Sequence, residues 1–451
     1  MTMRFVPVLF LLVAASLAAA DFRAGIARVI ITPKTPIWMS GYGSRNRPSE
    51  GVVHDLWAKA LALEDRKGSR VVIVSTDLIG LPRSISELVA ARVQKEHGLD
   101  RSRLVLNSSH THSGPMLRGN LDIMFALTDE QKAVIDEYNR TLTDRLVAVI
   151  GGALGQLSAA TLSFAQGEAG FTMNRREPTP KGIRIGVNPA GPVDRSVPVL
   201  KVAASDGTLR AVVFGYACHN TTLGGDFYKI GGDYSGFAQI EVEKKYPGVT
   251  AMFLMLCGGD QNPNPRGTLE LAEQHGKTLA AEVSRVIEGE LAPVRSPIKA
   301  AFRLVEPGLA LHTRETFESR LNESNPVRVR HAKAMLAAYD ERRPVRRVPY
   351  PLQAVRFGKD LTLVALGGEV VVDYSLRIKR EFPNEKLIVA GYSNDVMCYI
   401  PSLRVLKEGG YEAVDSMLYY GQPGPFDEEV EETIFGGLYQ VMKRVGIKTR
   451  R

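Results

Sequence analysis

Six stretches of this chain are apolar almost without interruption and end in polar or glycine-rich residues: VVIVSTD (71–77), RLVLNSS (103–109), LRAVVFGYACH (209–219), TAMFLMLCGGD (250–260), LTLVALGGE (361–369) and KLIVAGYSND (386–395). A half-buried strand alternates apolar with polar positions, so an unbroken run of this length has the form of a strand covered on both faces. Between these runs the period changes. Val134, Ile135, Tyr138, Leu142, Leu146 and Val147 recur at three- and four-residue spacing and predict a helix over 129–151, with Thr128 and Gln131 placed as a capping box. Leu271, Leu279, Val283 and Val286 predict a second helix over 268–289. Strands alternating with helices predict an α/β fold of mixed, largely parallel sheets layered with helices. Ligand sites in such folds gather at the carboxyl ends of the strands. The chemically rich segments STDLIG, SSHTHSGP, CHNTTLGGD, CGGDQNPN, GGE and GYSND all fall there.

Composition narrows the class. With 44% hydrophobic and 24% charged residues in 451, the chain has the make-up of a large globular protein rather than a disordered one. Its opening, MTMRFVPVLFLLVAASLAAAD, has an early arginine, a short apolar core and small residues at Ala18 and Ala20, so residues 1–20 read as a signal peptide. That core is too short for a spanning helix, and no comparable stretch follows. The mature protein is therefore expected to be soluble and exported, either secreted or periplasmic, with residues 21–451 as a single domain. The least regular stretch, 300–350, reads as an excursion on that body. Lys and Arg number 57 against 49 Asp and Glu, and the excess concentrates in VRVRHAKAMLAAYDERRPVRRVP, 327–349. This run reads as the solvated face of one helix with a proline-marked exit, or alternatively as a patch for anionic headgroups or cell-wall polymers. Tyr339 is its one aromatic, which does not make an interleaved stacking platform, so nucleic acid is not an expected partner. Cys218, Cys257 and Cys398 have no CxxC spacing and lie in or beside apolar runs, where cysteine behaves as a small buried hydrophobe.

Three of the eight histidines, His110, His112 and His219, stand at strand ends. A buried imidazole there is costly unless it is paired or metal-bound. Hydrolytic zinc sites take three or four N/O ligands and keep a position for water. Side chains at the ends of neighbouring strands converge, which makes His110 and His219 candidate ligands. Residues i and i+2 of a strand face the same way, so His110 and His112 either share one metal or divide metal binding and proton handling between them. Asp77, Asp233 and Asp260 also recur at strand ends, as groups that orient the histidines or as loop caps. The HxH is not followed by the Asp-His of a metallo-β-lactamase, and neither HExxH nor a GxSxG elbow occurs.

The segments AGIARVIITPKTPIWMSGYG, VVIVSTDLIGL, NSSHTHSGP, MNRRE, GGDYSGFAQ, GGDQNPN, GGE and GYSNDVMCYIPS follow one another over nearly the whole chain after the leader. In this order the sequence resembles the neutral/alkaline, non-lysosomal ceramidases, in their large catalytic domain. The resemblance implies a zinc ion held by His110, His219, Glu369 and Tyr399, with His112 in proton transfer. It further implies that Arg175 of MNRRE contacts the substrate and that Tyr411 of GGYE stabilises the oxyanion. Taken without the resemblance, Glu369 equally reads as an acid capping the next helix, and the two tyrosines as packing residues. Two departures stand out. Asn262 occupies the place where family members usually carry a serine, which implies attack by zinc-bound hydroxide rather than covalent catalysis. The sequence also stops at 451 without the C-terminal β-sandwich of long members.

The implied activity is zinc-dependent hydrolysis of the N-acyl amide bond of ceramide or a related N-acyl lipid, with peripheral contact to a membrane surface and no transmembrane segment. Two other readings stay open: an exported zinc hydrolase of another amide or ester, and a non-catalytic lipid- or glycan-binding protein.

Overall fold

The computed structural model describes residues 20–449, so the leader read over 1–20 lies, apart from Ala20, outside the described residues. The predicted elements are present. Asp129–Gly155 is a helix opened by the Thr128–Gln131 capping box, and Leu269–Glu288 is the second. All six apolar runs form strands. The excursion contributes a strand, Ile298–Val305, and two helices, Arg314–Glu318 and Pro326–Asp340. No helix among the described residues is long and apolar enough to cross a membrane.

A nine-stranded sheet runs in the order Thr250–Met255, Leu209–Tyr216, Ser196–Ala204, Ser158–Glu168, Phe22–Ile30, Trp57–Asp65, Arg70–Thr76, Leu104–Ser108, with Ala292–Val294 beside Ser158–Glu168. A four-stranded sheet of Ile298–Val305, Tyr350–Phe357, Leu361–Leu366 and Leu387–Ala390 packs on its inner face. Helices cover the outer faces of both, which gives a helix–sheet–sheet–helix stack. Side chains sort by parity. Ala58, Ala60 and Ala62 meet the helices Arg83–His97 and Asp129–Gly155, whereas Leu61 and Leu63 meet Val355, Phe357 and Leu363 of the small sheet. Both faces of the strands formed by the six runs are thus buried, which is why the sequence shows runs rather than alternation there.

The mixed sheets agree with expectation, but their strands are not largely parallel. Most pairings are antiparallel, because hairpins such as Trp57–Asp65 with Arg70–Thr76 and Ser196–Ala204 with Leu209–Tyr216 build most of the ladder. Parallel pairs in the two sheets arise where a helix carries the chain back: Arg70–Thr76 with Leu104–Ser108, Leu209–Tyr216 with Thr250–Met255, and Leu361–Leu366 with Leu387–Ala390. These three strand–helix–strand units all aim their carboxyl ends at one place.

The large sheet curls so that its two edge strands meet. Asn107 joins them: its Oδ1 accepts from Met255 N at 2.9 Å, and its Nδ2 donates to Met255 O at 3.2 Å and Gly391 O at 2.8 Å. A side-chain amide there takes the part of a backbone ladder bond, and it draws the three units together.

Candidate metal centre

His110 follows the edge strand Leu104–Ser108, His219 follows Leu209–Tyr216, and Glu369 follows Leu361–Leu366 through a Gly367–Gly368 turn. Tyr399 pairs with Glu369 across a two-residue parallel ladder. The four residues, more than 100 positions apart at their widest, have functional atoms in contact. Glu369 Oε2 lies 3.0 Å from His110 Nε2 and 3.0 Å from His219 Nε2, and Tyr399 Oη lies 3.1 Å from His219 Nε2. All four side chains are buried.

His112 belongs to the same cluster. Its Nε2 is 3.1 Å from His110 Nε2, and ligand-type nitrogens of His110, His112 and His219 all lie within 4.8 Å of one another. His110 and His112 are not i and i+2 of one strand, because the strand ends at Ser108 and His110 adopts a left-handed backbone with φ 62°. That conformation is unfavourable for a residue with a Cβ. It re-aims the imidazole, so convergence comes from the kink and not from strand periodicity.

What the other ring nitrogen does separates the histidines. Nδ1 of His110 is 2.5 Å from Ile79 O, and Nδ1 of His219 is 2.7 Å from Gly258 O. A carbonyl only accepts, so both rings carry their proton on Nδ1 and present a bare Nε2 lone pair. His112 Nδ1 is buried with no partner. No carbonyl holds the His112 Nδ1, unlike those of His110 and His219.

The donor set fits a cation. Two Nε2 lone pairs face a carboxylate oxygen, acceptor against acceptor, at hydrogen-bond distance. Burial, reinforced by the Arg175 charge, drives the His219 imidazole down to about 3, so it brings no proton of its own to that meeting. A buried carboxylate beside the neutral His219 imidazole is costly without a positive charge. His110, His219, Glu369 and Tyr399 would hold a metal with nitrogen and oxygen ligands of the kind that suits zinc.

Several contributors were not singled out in the sequence. Tyr420 donates its hydroxyl to Glu369 Oε1, and Tyr392 donates to Glu369 Oε2 at 3.4 Å. Glu412 accepts from Arg175 Nε at 2.7 Å and from Arg176 Nη1 at 2.6 Å. Arg175 is thereby locked with its Nη2 2.9 Å from Tyr399 Oη and its Nη1 3.3 Å from Asn262 Oδ1. Arg45, which no carboxylate salt-bridges among the described residues, donates to His112 O at 2.7 Å. Tyr392 sits in GYSND, a segment the strand-end pattern had marked, and Glu412 adjoins Tyr411; Tyr420 has no local signal at all.

The strand-end aspartates cap loops rather than orient histidines. Asp77 accepts from Trp57 N at 2.9 Å and Gln239 Nε2 at 3.1 Å, Asp233 from Leu223 N at 3.0 Å, and Asp260 from Val372 N at 2.8 Å. Backbone carbonyls do the orienting. Glu369 is no helix cap, since the helix Val372–Glu381 takes Asp260 at its first N–H and has Val371 at its cap position. The cysteines are all free and buried.

Above the cluster opens a pocket of about 510 Å³, lined by His112, Arg175, Asn262, Tyr399 and Tyr411 on its polar side and by Met124, Ile185 and Val327 among its apolar residues. Tyr411 lies edge-on to Tyr399 with ring centroids 5.4 Å apart, and its hydroxyl has no partner among the described residues. Val327 comes from the basic helix Pro326–Asp340, whose Arg330 donates to Ile123 O and Met124 O at 2.9 Å each. The excursion thus forms part of the pocket wall.

Sequence comparison covers part of the chain, and structural comparison nearly all of it. A family model described as "Neutral/alkaline non-lysosomal ceramidase, N-terminal" matches residues 22–293. The neutral ceramidase of Pseudomonas aeruginosa is 24% identical over 257 residues, 54% of this chain and 37% of that protein. The neutral ceramidase of Drosophila melanogaster is 24% identical over 270 residues, 56% of this chain and again 37% of the relative. The matched segment therefore spans little more than a third of these relatives. The crystal structure of the Pseudomonas aeruginosa neutral ceramidase superposes with a TM-score of 0.74 at 19% identity, covering 96% of this chain and 76% of that one, which shows a shared fold.

Proposed function

Because this chain belongs to the neutral/alkaline non-lysosomal ceramidase family, we propose that it is an exported, zinc-dependent hydrolase of the N-acyl amide bond of ceramide or a related N-acyl lipid. One observation carries the reading: Oε2 of Glu369 stands 3.0 Å from Nε2 of His110 and 3.0 Å from Nε2 of His219, with both imidazoles held in the ligand tautomer by backbone carbonyls, at the base of a pocket walled partly by apolar residues.

Zinc, when bound there, supplies a Lewis acid that polarises an amide carbonyl and acidifies a water. His112, its Nδ1 unpartnered and its ring 9% exposed, is the base that takes the proton of the attacking water and returns it to the leaving amine nitrogen. Burial first, and the neighbouring His110 and His219 next, push its imidazole well below the usual range, so it starts unprotonated. Tyr411 donates its free hydroxyl to the developing oxyanion. Arg175, neutralised by Glu412, fixes the Tyr399 oxygen. Apolar residues such as Met124, Ile185 and Val327 receive the acyl chain, and the lipid reaches the pocket from a membrane surface.

Incubation of the purified protein with a fluorescent N-acyl sphingosine tests the reading. Release of the labelled fatty acid is expected, with loss on chelation and return on adding zinc. Turnover insensitive to a strong chelator would overturn the metal assignment, and no turnover of any N-acyl lipid by the zinc-loaded protein would overturn the activity.

A further inference from the structure

The pocket above the cluster carries charge of one sign. Two charged residues line it, Arg175 and Arg266, and no carboxylate does. Arg175 is neutralised by its buried ion pair with Glu412 at 2.7 Å. Arg266 is exposed, donates only to the Tyr42 hydroxyl at 3.3 Å, and has no carboxylate partner among the described residues. One uncompensated positive charge therefore stands at the pocket.

Asn262 adds neutral donors to the same wall. Its Oδ1 accepts from Arg175 Nη1 at 3.3 Å and from Thr221 Oγ1 at 3.1 Å. A guanidinium can only donate, so the amide orientation is fixed with oxygen toward Arg175. Its Nδ2 is left without a partner among the described residues, beside a pocket that both Asn262 and Arg266 line. A neutral lipid covering this wall would strip water from Arg266 and return nothing. A carboxylate would turn the same desolvation into an ion pair backed by a hydrogen bond from Asn262.

Resting on the hydrolase reading above, we infer that among N-acyl amines the site prefers those whose amine-derived portion bears a carboxylate, received by a subsite made of Arg266 and Asn262. The acyl portion then lies on the apolar walls, and the scissile amide sits between the two at the metal cluster. Asn262 and Arg266 select among amides and take no part in bond breaking.

The test uses two inert probes, the ketone isosteres of N-dodecanoylglycine and of N-dodecanoylethanolamine, in which a methylene replaces the amide N–H so that nothing is cleaved. Binding to the zinc-loaded protein is measured by calorimetry at low and high salt. The carboxylate probe should bind about fivefold more tightly at low salt, the scale of one partly exposed ion pair, and the preference should shrink as salt rises. Arg266→Glu should reverse the ratio, and Asn262→Asp, which replaces Nδ2 with an anionic oxygen, should lower it. Equal affinity of the unaltered protein for the two probes, no binding of either, or a ratio unmoved by Arg266→Glu would overturn the inference. Neither probe reacts, so failure of the hydrolase reading appears separately, as absent turnover of both N-acyl sphingosine and N-dodecanoylglycine with the binding ratio intact.

Discussion

His110 and His112 are two positions apart and reach the same cluster, yet their Nδ1 atoms differ: one is held by the Ile79 carbonyl at 2.5 Å and the other has no partner. A ring held at Nδ1 suits a ligand, and one without that hold suits a group that must take up and release a proton. His110→Ala should therefore remove both bound zinc and activity. His112→Ala should keep most of the zinc and lose about 10²-fold or more in kcat, the usual scale for a general base. Metal analysis beside steady-state kinetics decides, and equal zinc loss in both variants would make His112 a third nitrogen ligand. Distance alone does not separate the pair, because all three histidines present nitrogens within 4.8 Å of one another.

The elements around the cluster show what a sequence can and cannot carry. Strand ends were legible because strands buried on both faces leave unbroken apolar runs, and each of His110, His219 and Glu369 follows such a run directly. Strand direction was not legible. Val72 and Val74 would be equally apolar beside a parallel or an antiparallel neighbour, and the length of the connection sets the choice. Asn107, which ties the sheet edges, reads as one polar residue ending a run, and nothing local announces that its amide bridges to Met255 and Gly391. Tyr420 and Glu412 reach the site from short helical turns distant in sequence from the residues they serve, so no spacing links them to Glu369 or Arg175. Gly41 has φ 96°, and a Cβ built on it would stand 2.5 Å from His112 Nδ1. Gly41→Ala forces either the turn or the imidazole to move, on top of a backbone cost of roughly 1–2 kcal/mol. The expected result is a fall in kcat of about tenfold or more with zinc content unchanged, since a misplaced base costs turnover. Unchanged kcat in a folded Gly41→Ala protein would mean that the turn yields instead and that Gly41 does not hold the His112 ring in its working position.

At the scale of the whole molecule, the three strand–helix–strand units are joined where their carboxyl ends meet. His110 stands at one edge of the large sheet, His219 beside the other edge, and Glu369 on the small sheet. Without a cation, the Glu369 carboxylate faces the Nε2 lone pairs of His110 and His219 across 3.0 Å each, so the closure is electrostatically strained at the point where the layers converge. A metal that binds only the folded chain relieves that strain and stabilises by mass action, by about 4 kcal/mol when free zinc is a thousandfold above Kd. In a chain of this size the gain should raise Tm by several degrees. Differential scanning calorimetry with zinc and then with chelator should record the fall. His110→Ala should melt at one temperature under both conditions, because its site no longer competes for the metal. Identical melting of the unaltered protein with and without chelator would mean that the cluster closes without a cation, and the acceptor-against-acceptor argument for the metal would fail with it.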